Sequence, residues 1–255
     1  MKKIILISAI ILVSLVAIFF IYQKLSQEMP TENWIESYTQ LREEANIPDK
    51  YVELTDDFDY NNEEVKSIIQ MFEIREYDSI ERLVEDIGDY TFRNIEYYPN
   101  LTYSECISSP ASEVQSQGKG VCSSMSKLDI AVLRGMGIAS RPLTGCVNKL
   151  ESENCVPFSK KTTLQSILFK LRERKTQNIK IEDGIVASKG GLHTWVEVWI
   201  PEKGWTILES TTGYLIDSKC EEYSKLNEEA SSSQICGINY LTNKQFIEEC
   251  NGKEI

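Results

Sequence analysis

Hydrophobic and polar positions divide the chain into stretches of different period. Residues 4–22 are apolar throughout except for Ser8 and Ser14, behind the flank Met1-Lys2-Lys3. A helix needs about 20 apolar residues to cross a bilayer. The run is longer than the apolar region of a usual cleaved signal, and no small-x-small cleavage site follows it. An uncleaved transmembrane signal anchor is therefore expected over 1–22. Lys2 and Lys3 hold its N-terminus in the cytoplasm, which predicts a single-pass cell-membrane protein whose remaining chain lies outside the cytoplasm.

Residues 23–62 read as a polar stem with a helix around Glu32 to Glu44. Further on, Val121, Met125, Leu128, Val132 and Met136 recur at steps of four, three, four and four, one face of a helix. Gly135 and Gly137 supply its stop, and Ile138 to Leu143 leaves it as an extended segment. Strict alternation follows in "HTWVEVWI". It sets His193, Trp195, Glu197 and Trp199 on one side of a strand and Thr194, Val196, Val198 and Ile200 on the other. Pro201 to Gly204 then turns the chain into a second strand, Trp205 to Glu209. An insertion over about 147–189 carries a basic helix-like stretch whose apolar stripe is Leu164, Ile167, Leu168 and Leu171. Residues 216–255 read as a cysteine-bearing appendage.

Composition narrows the function classes. With 42% hydrophobic residues the chain can bury a real core. The formal charge is −12, and no basic stretch is interleaved with aromatics, so nucleic acid is not an expected partner. Asn100-Leu101-Thr102 is a glycosylation sequon, meaningful only where the source glycosylates exported proteins. Seven cysteines in an oxidising exterior imply disulfides with one thiol left over. Cys146 with Cys155 and Cys220 with Cys236 would close short loops. No CxxC occurs and there is one histidine, so no metal site and no cofactor is expected.

The best candidate for the spare thiol is Cys122. It follows the flexible approach Gly118-Lys119-Gly120 and falls in the first turn of the predicted helix, where the macrodipole and backbone N–H groups favour a thiolate. Pairing with Cys106 is the structural alternative. His193, the single histidine, has the corresponding alternative of packing.

Gly-Val-Cys at a helix start, then "LRGMGIASR", "HTWVEV", Gly-Trp and Glu-Ser-Thr, in this order and spacing, resembles the core of the transglutaminase-like superfamily. The resemblance runs from about Ile80 to Tyr214 and includes "IERLVEDIGDYTFRNIEYYPN", similar to the helix-then-tyrosine lead-in before the nucleophile. It implies an α+β, papain-like core over residues 63–215, with the nucleophile at a helix N-terminus packed on an antiparallel sheet. It also implies a triad of Cys122 as nucleophile, His193 as base and Glu209 as orienting acid. The family more often has Asp at the third position. Glutamate can fill the role, which needs only an acceptor on the distal ring nitrogen.

The triad constrains the hairpin. A four-residue loop would put Glu209 opposite Val196, on the wrong face. Trp199 opposite Trp205 would instead set Glu209 diagonal to His193. Gln117 is a possible oxyanion donor beside the backbone N–H of Cys122, and Glu197 a group that could support the triad. Trp195, Trp199 and Trp205 are core residues or cleft walls, and Arg141 is structural. The reading that follows is an exported, membrane-anchored cysteine enzyme. It forms a thioester on a peptide or isopeptide amide of a protein or peptide substrate and resolves it with water. The alternatives are a protein-glutamine transamidase, or a non-catalytic cell-surface module that retains the fold.

Overall fold

Three early helices start where a short polar side chain caps them. In the computed structural model, which describes residues 34–75, 77–98, 101–147, 181–182, 185–186, 191–217, 219–220, 223–227 and 236, helix α1 (Trp34–Glu44) is followed by α2 (Glu63–Glu73) and α3 (Ile80–Asn94). Asn62 accepts from the Glu64 N–H at the start of α2, and Ser79 from the Arg82 N–H at the start of α3. Strand β1 (Glu96–Tyr97) leads to α4 (Tyr103–Ser108), which opens with a reciprocal Thr102–Glu105 capping box. Then come α5 (Ala111–Gln117), β2 (Lys119–Gly120) and α6 (Cys122–Gly135). Strand β3 (Ser140–Val147), the short pair β4 (Ile181–Glu182) and β5 (Ile185–Val186), β6 (Gly191–Ile200), β7 (Gly204–Glu209), β8 (Tyr214–Ile216) and β9 (Tyr223–Asn227) complete the described elements.

Five strands form an antiparallel sheet in the order β8-β7-β6-β3-β9. Its alternation sorts two cores. Val196, Val198, Ile200, Leu208 and Leu215 join Leu128, Val132 and Leu133 of α6 and Leu83 and Ile87 of α3 in the main cluster. Leu143, Trp195, Ile207 and Ile216 form a second cluster. This is the expected α+β arrangement of a helix packed on a sheet.

Helix α6 is buried nearly all round, including Ser123, Ser124, Ser126, Lys127, Asp129 and Arg134. Each buried charge has a partner, as burial demands. Lys127 Nζ donates to the Cys106 and Ser109 carbonyls and pairs with Asp57 at 2.8 Å. The Arg134 guanidinium donates to the Ser140 and Glu53 carbonyls. Residues 38–62, read as stem in the sequence, send Tyr38, Tyr51 and Phe58 into the main cluster. Tyr38 there donates to the Trp199 carbonyl and accepts from the Ala139 N–H.

The transmembrane helix expected over 1–22 is corrected, and with it the membrane as a partner and the cell-membrane localisation. No helix among the described residues is long and apolar enough to cross a membrane. The longest, α3, has 15 residues and rises about 22 Å, short of a ~30 Å hydrocarbon core. Residues 1–22 lie outside the described residues, as do the basic stretch of the insertion and most of the C-terminal appendage.

The disulfide reading is also corrected. Cys236 pairs with Cys106 rather than Cys220, a loop spanning 130 residues, and so ties the C-terminal region to α4. Cys106 and Cys236 meet in a buried cluster with Leu101 and Val121, so separation along the chain does not decide this pairing, while Cys155, the expected partner of Cys146, lies outside the described residues. Cys146 and Cys220 are disulfide-bonded, whereas Cys122 carries no disulfide.

Candidate active site

The hairpin register decides whether the three predicted triad residues can meet. β6 and β7 pair with Trp199 opposite Trp205 and Val196 opposite Leu208. The same parity sets Glu209 one step past the last pair and diagonal to His193, at the end of the sheet where α6 begins. Close backbone packing holds the turn after Glu209. Gly213 has φ +69°, and a Cβ there would stand 2.8 Å from the backbone of Asp89 in α3.

Glu209 Oε2 lies 2.7 Å from His193 Nε2. Its other oxygen accepts from the Thr211 N–H at 3.1 Å and the Thr211 hydroxyl at 2.6 Å. Both carboxylate oxygens are thus engaged, and the side chain is 1% exposed against 16% for His193. Nε2 is occupied by Glu209, so Nδ1 is the ring nitrogen left for the hydrogen bond between His193 and Cys122. The ring of Trp195 stacks beside the imidazole, centroids 6.4 Å apart.

Burial alone would lower the His193 pKa. The charges of Glu209 and of a Cys122 thiolate outweigh it and, with hydrogen bonds to both, hold the imidazole well above its ordinary value. Burial likewise pushes Glu209 up, but His193 and the Thr211 donors bring it below the usual carboxylate value. The arrangement favours the protonated imidazolium form of His193 beside the Glu209 carboxylate. Cys122 is the first residue of α6, which no side chain caps, so the helix N-terminus adds its positive dipole end at the thiol.

The other sequence-derived residues stand elsewhere. Gln117 is exposed, and its amide donates to Glu113 at 2.6 Å. Glu197 is buried in an ion cluster with Arg141, at 2.7 Å, and Lys225. Arg141 stacks over Trp205 at 4.2 Å. Trp195 and Trp199 are buried in the two cores, and Trp205 is partly buried against the main one.

Sequence reasoning missed a polar cluster beside the triad. Asp129, two helical turns beyond Cys122, accepts from the Thr91 hydroxyl at 2.5 Å. Ser210, next to Glu209, meets Ser126 at 3.3 Å. The seven-residue spacing from Cys122 was the available signal. Burial pushes the Asp129 carboxyl up to about 7, against hydrogen bonds from Ser210 and Thr91 that lower it; the charge of Glu209 raises it further. Folding therefore takes up a proton above pH 3.8, the ordinary value. The stability this group contributes at low pH is lost progressively from there and is gone above about pH 7. An asparagine in its place cannot ionise but still accepts from Thr91. In urea unfolding, the stability of Asp129→Asn relative to the parent should rise by roughly 4 kcal/mol between pH 4 and pH 8. A difference independent of pH would refute the assignment.

A profile of the transglutaminase-like superfamily matches residues 72–210, a span that includes Cys122, His193 and Glu209. No curated protein matches the chain. A crystal structure from Cytophaga hutchinsonii, described as that of a candidate cysteine protease, is similar at 16% identity and a TM-score of 0.43. The match covers 71% of this chain and 57% of that one. The profile match takes in more than half of the sequence, and the chain belongs to the transglutaminase-like superfamily.

Proposed function

We propose that this protein is a cysteine enzyme of acyl-transfer type, acting on an amide of a protein or peptide substrate. The observation that carries the reading is His193, held by Glu209 at 2.7 Å through one ring nitrogen and hydrogen-bonded to Cys122. His193 takes the Cys122 proton, and the thiolate attacks the amide carbonyl. The imidazolium returns a proton to the leaving amine as the thioester forms. Water, deprotonated by His193, then attacks the thioester and regenerates the thiol. Hydrolysis is favoured over transamidation because water needs no dedicated acceptor site. Non-catalytic binding has no use for a charged pair kept at a buried thiol.

Incubating the protein with glutamine-containing and isopeptide-linked peptides plus a labelled primary amine, then weighing the products, tests this reading. Water-derived products that vanish in Cys122→Ser are expected. Amine incorporation in their place would make the protein a transamidase, and no Cys122-dependent product would count against acyl transfer.

A further inference from the structure

Attack on a carbonyl puts negative charge on its oxygen, and cysteine enzymes gain most from donors already aimed at that oxygen. The glutamine that the sequence offered, Gln117, is exposed and bonded to Glu113. Another side chain is fixed to the approach of the nucleophile. Tyr97 ends β1, which pairs in parallel with β2 so that Tyr97 stands opposite Gly120, two residues before Cys122. The Glu96 N–H donates to the Gly118 carbonyl and the Tyr98 N–H to the Gly120 carbonyl, both at 2.8 Å. Gly120 in turn lies so close to α6 that a Cβ on it would stand 2.7 Å from the Cβ of Ser124. The backbone of Tyr97 is thus locked to the first turn of the nucleophile's helix.

The Tyr97 ring packs against both the main core and the cluster that contains Val121. Its hydroxyl differs from those of Tyr38, Tyr60 and Tyr90. Tyr38 donates to the Trp199 carbonyl, Tyr60 to the Val52 carbonyl, and Tyr90 accepts from Gln115. The Tyr97 hydroxyl makes no hydrogen bond to the described residues. Burial, followed by the negative charges of Cys122 and Glu209, holds its phenol well above the ordinary value. Paired through its backbone with Gly120 and packed through its ring against the Val121 cluster, Tyr97 stands at the start of α6, where its phenol keeps its proton for donation.

We propose that the Tyr97 hydroxyl is a catalytic donor to the carbonyl oxygen of the acyl group attacked by Cys122, a role that rests on the acyl-transfer reading above. The sulfur lone pair forms the S–C bond while the carbonyl π pair moves onto oxygen, which accepts the Tyr97 O–H hydrogen bond. Tyr97 keeps its proton throughout. Collapse re-forms C=O and expels the leaving group, an amine protonated by His193 or a phenolate that needs no proton.

Two reagents separate this role from general support of the thiol. Iodoacetamide alkylates sulfur by displacement at carbon and creates no oxyanion. p-Nitrophenyl acetate acylates through a tetrahedral oxyanion. Tyr97→Phe in the full chain is expected to slow Cys122 acetylation, followed by nitrophenolate release and peptide mapping, by about tenfold or more. Its alkylation rate should stay within about twofold of the parent, which also reports intact folding. Equal acetylation of parent and variant would overturn the donor role and leave the acyl-transfer reading standing. Parallel losses in both reactions would also overturn it, by assigning Tyr97 to support of the thiol. A parent whose Cys122 is alkylated but never acetylated would overturn both proposals.

Discussion

Replacing His193 with glutamine should slow acylation of Cys122 by a hundredfold to ten-thousandfold, the usual contribution of a positioned acid–base group. The substitution removes the partner that takes the thiol proton and the cation that faces the resulting anion. Glutamine occupies a similar volume and can still hydrogen-bond to Glu209, so folding should survive. A stopped-flow measurement of nitrophenolate release under excess activated ester checks this. A loss of less than about tenfold would mean that the reactivity of Cys122 comes from the α6 N-terminus alone.

Glu209→Gln should cost an order of magnitude or more in the same assay, for a reason visible in its contacts. One oxygen accepts from two Thr211 donors while the other faces His193 Nε2 at 2.7 Å. An amide that keeps its carbonyl on Thr211 turns its NH2 toward Nε2. The imidazole must then accept at Nε2 and carry its proton on Nδ1, the nitrogen that should receive the proton of Cys122. Geometry survives and the tautomer is wrong.

Stability should change with a distinctive pH profile. The folded pKa of Glu209 is lowered, so its contribution is fully present above the unfolded value of 4.5 and is lost as pH falls through the folded value. The folded pKa of His193 is raised, so its contribution is fully present below 6.5 and is lost as pH rises through the raised value. The stability lost in Glu209→Gln should therefore be greatest between about pH 4.5 and 6.5 and shrink on either side. A loss that is flat across this range would mean that the two groups are not an ion pair.

The elements that decided the fold were legible because their burial follows simple periods. The step of α6 and the alternation of β6 are one-dimensional signals of which face is covered. The hairpin register was legible too, since only Trp199 opposite Trp205 lets Glu209 approach His193. Polar residues inside α6 were not. Lys127 and Asp129 look like a solvated face, and their partners Asp57, Ser109 and Thr91 come from distant parts of the chain. The Cys106–Cys236 bridge was missed for the same reason, because loop length says little once the fold has set the distance. Gln117 is near Cys122 along the chain, but a left-handed residue, Gly118 at φ +61°, ends α5 between them, and the Gln117 side chain is exposed beside Glu113. Tyr97 was visible only as part of a family-like lead-in. Its place across from Gly120 comes from a parallel pairing of two two-residue strands, too short to leave a pattern.

Rapid-quench mass analysis of the full chain mixed with an activated ester tests the central claim most directly. A single acyl group, mapped to Cys122, should form within the nitrophenolate burst and decay as water resolves it. It should be absent from Cys122→Ser and strongly slowed in His193→Gln. A parent protein that stays unacylated, or that acquires its label at a residue other than Cys122, would contradict it.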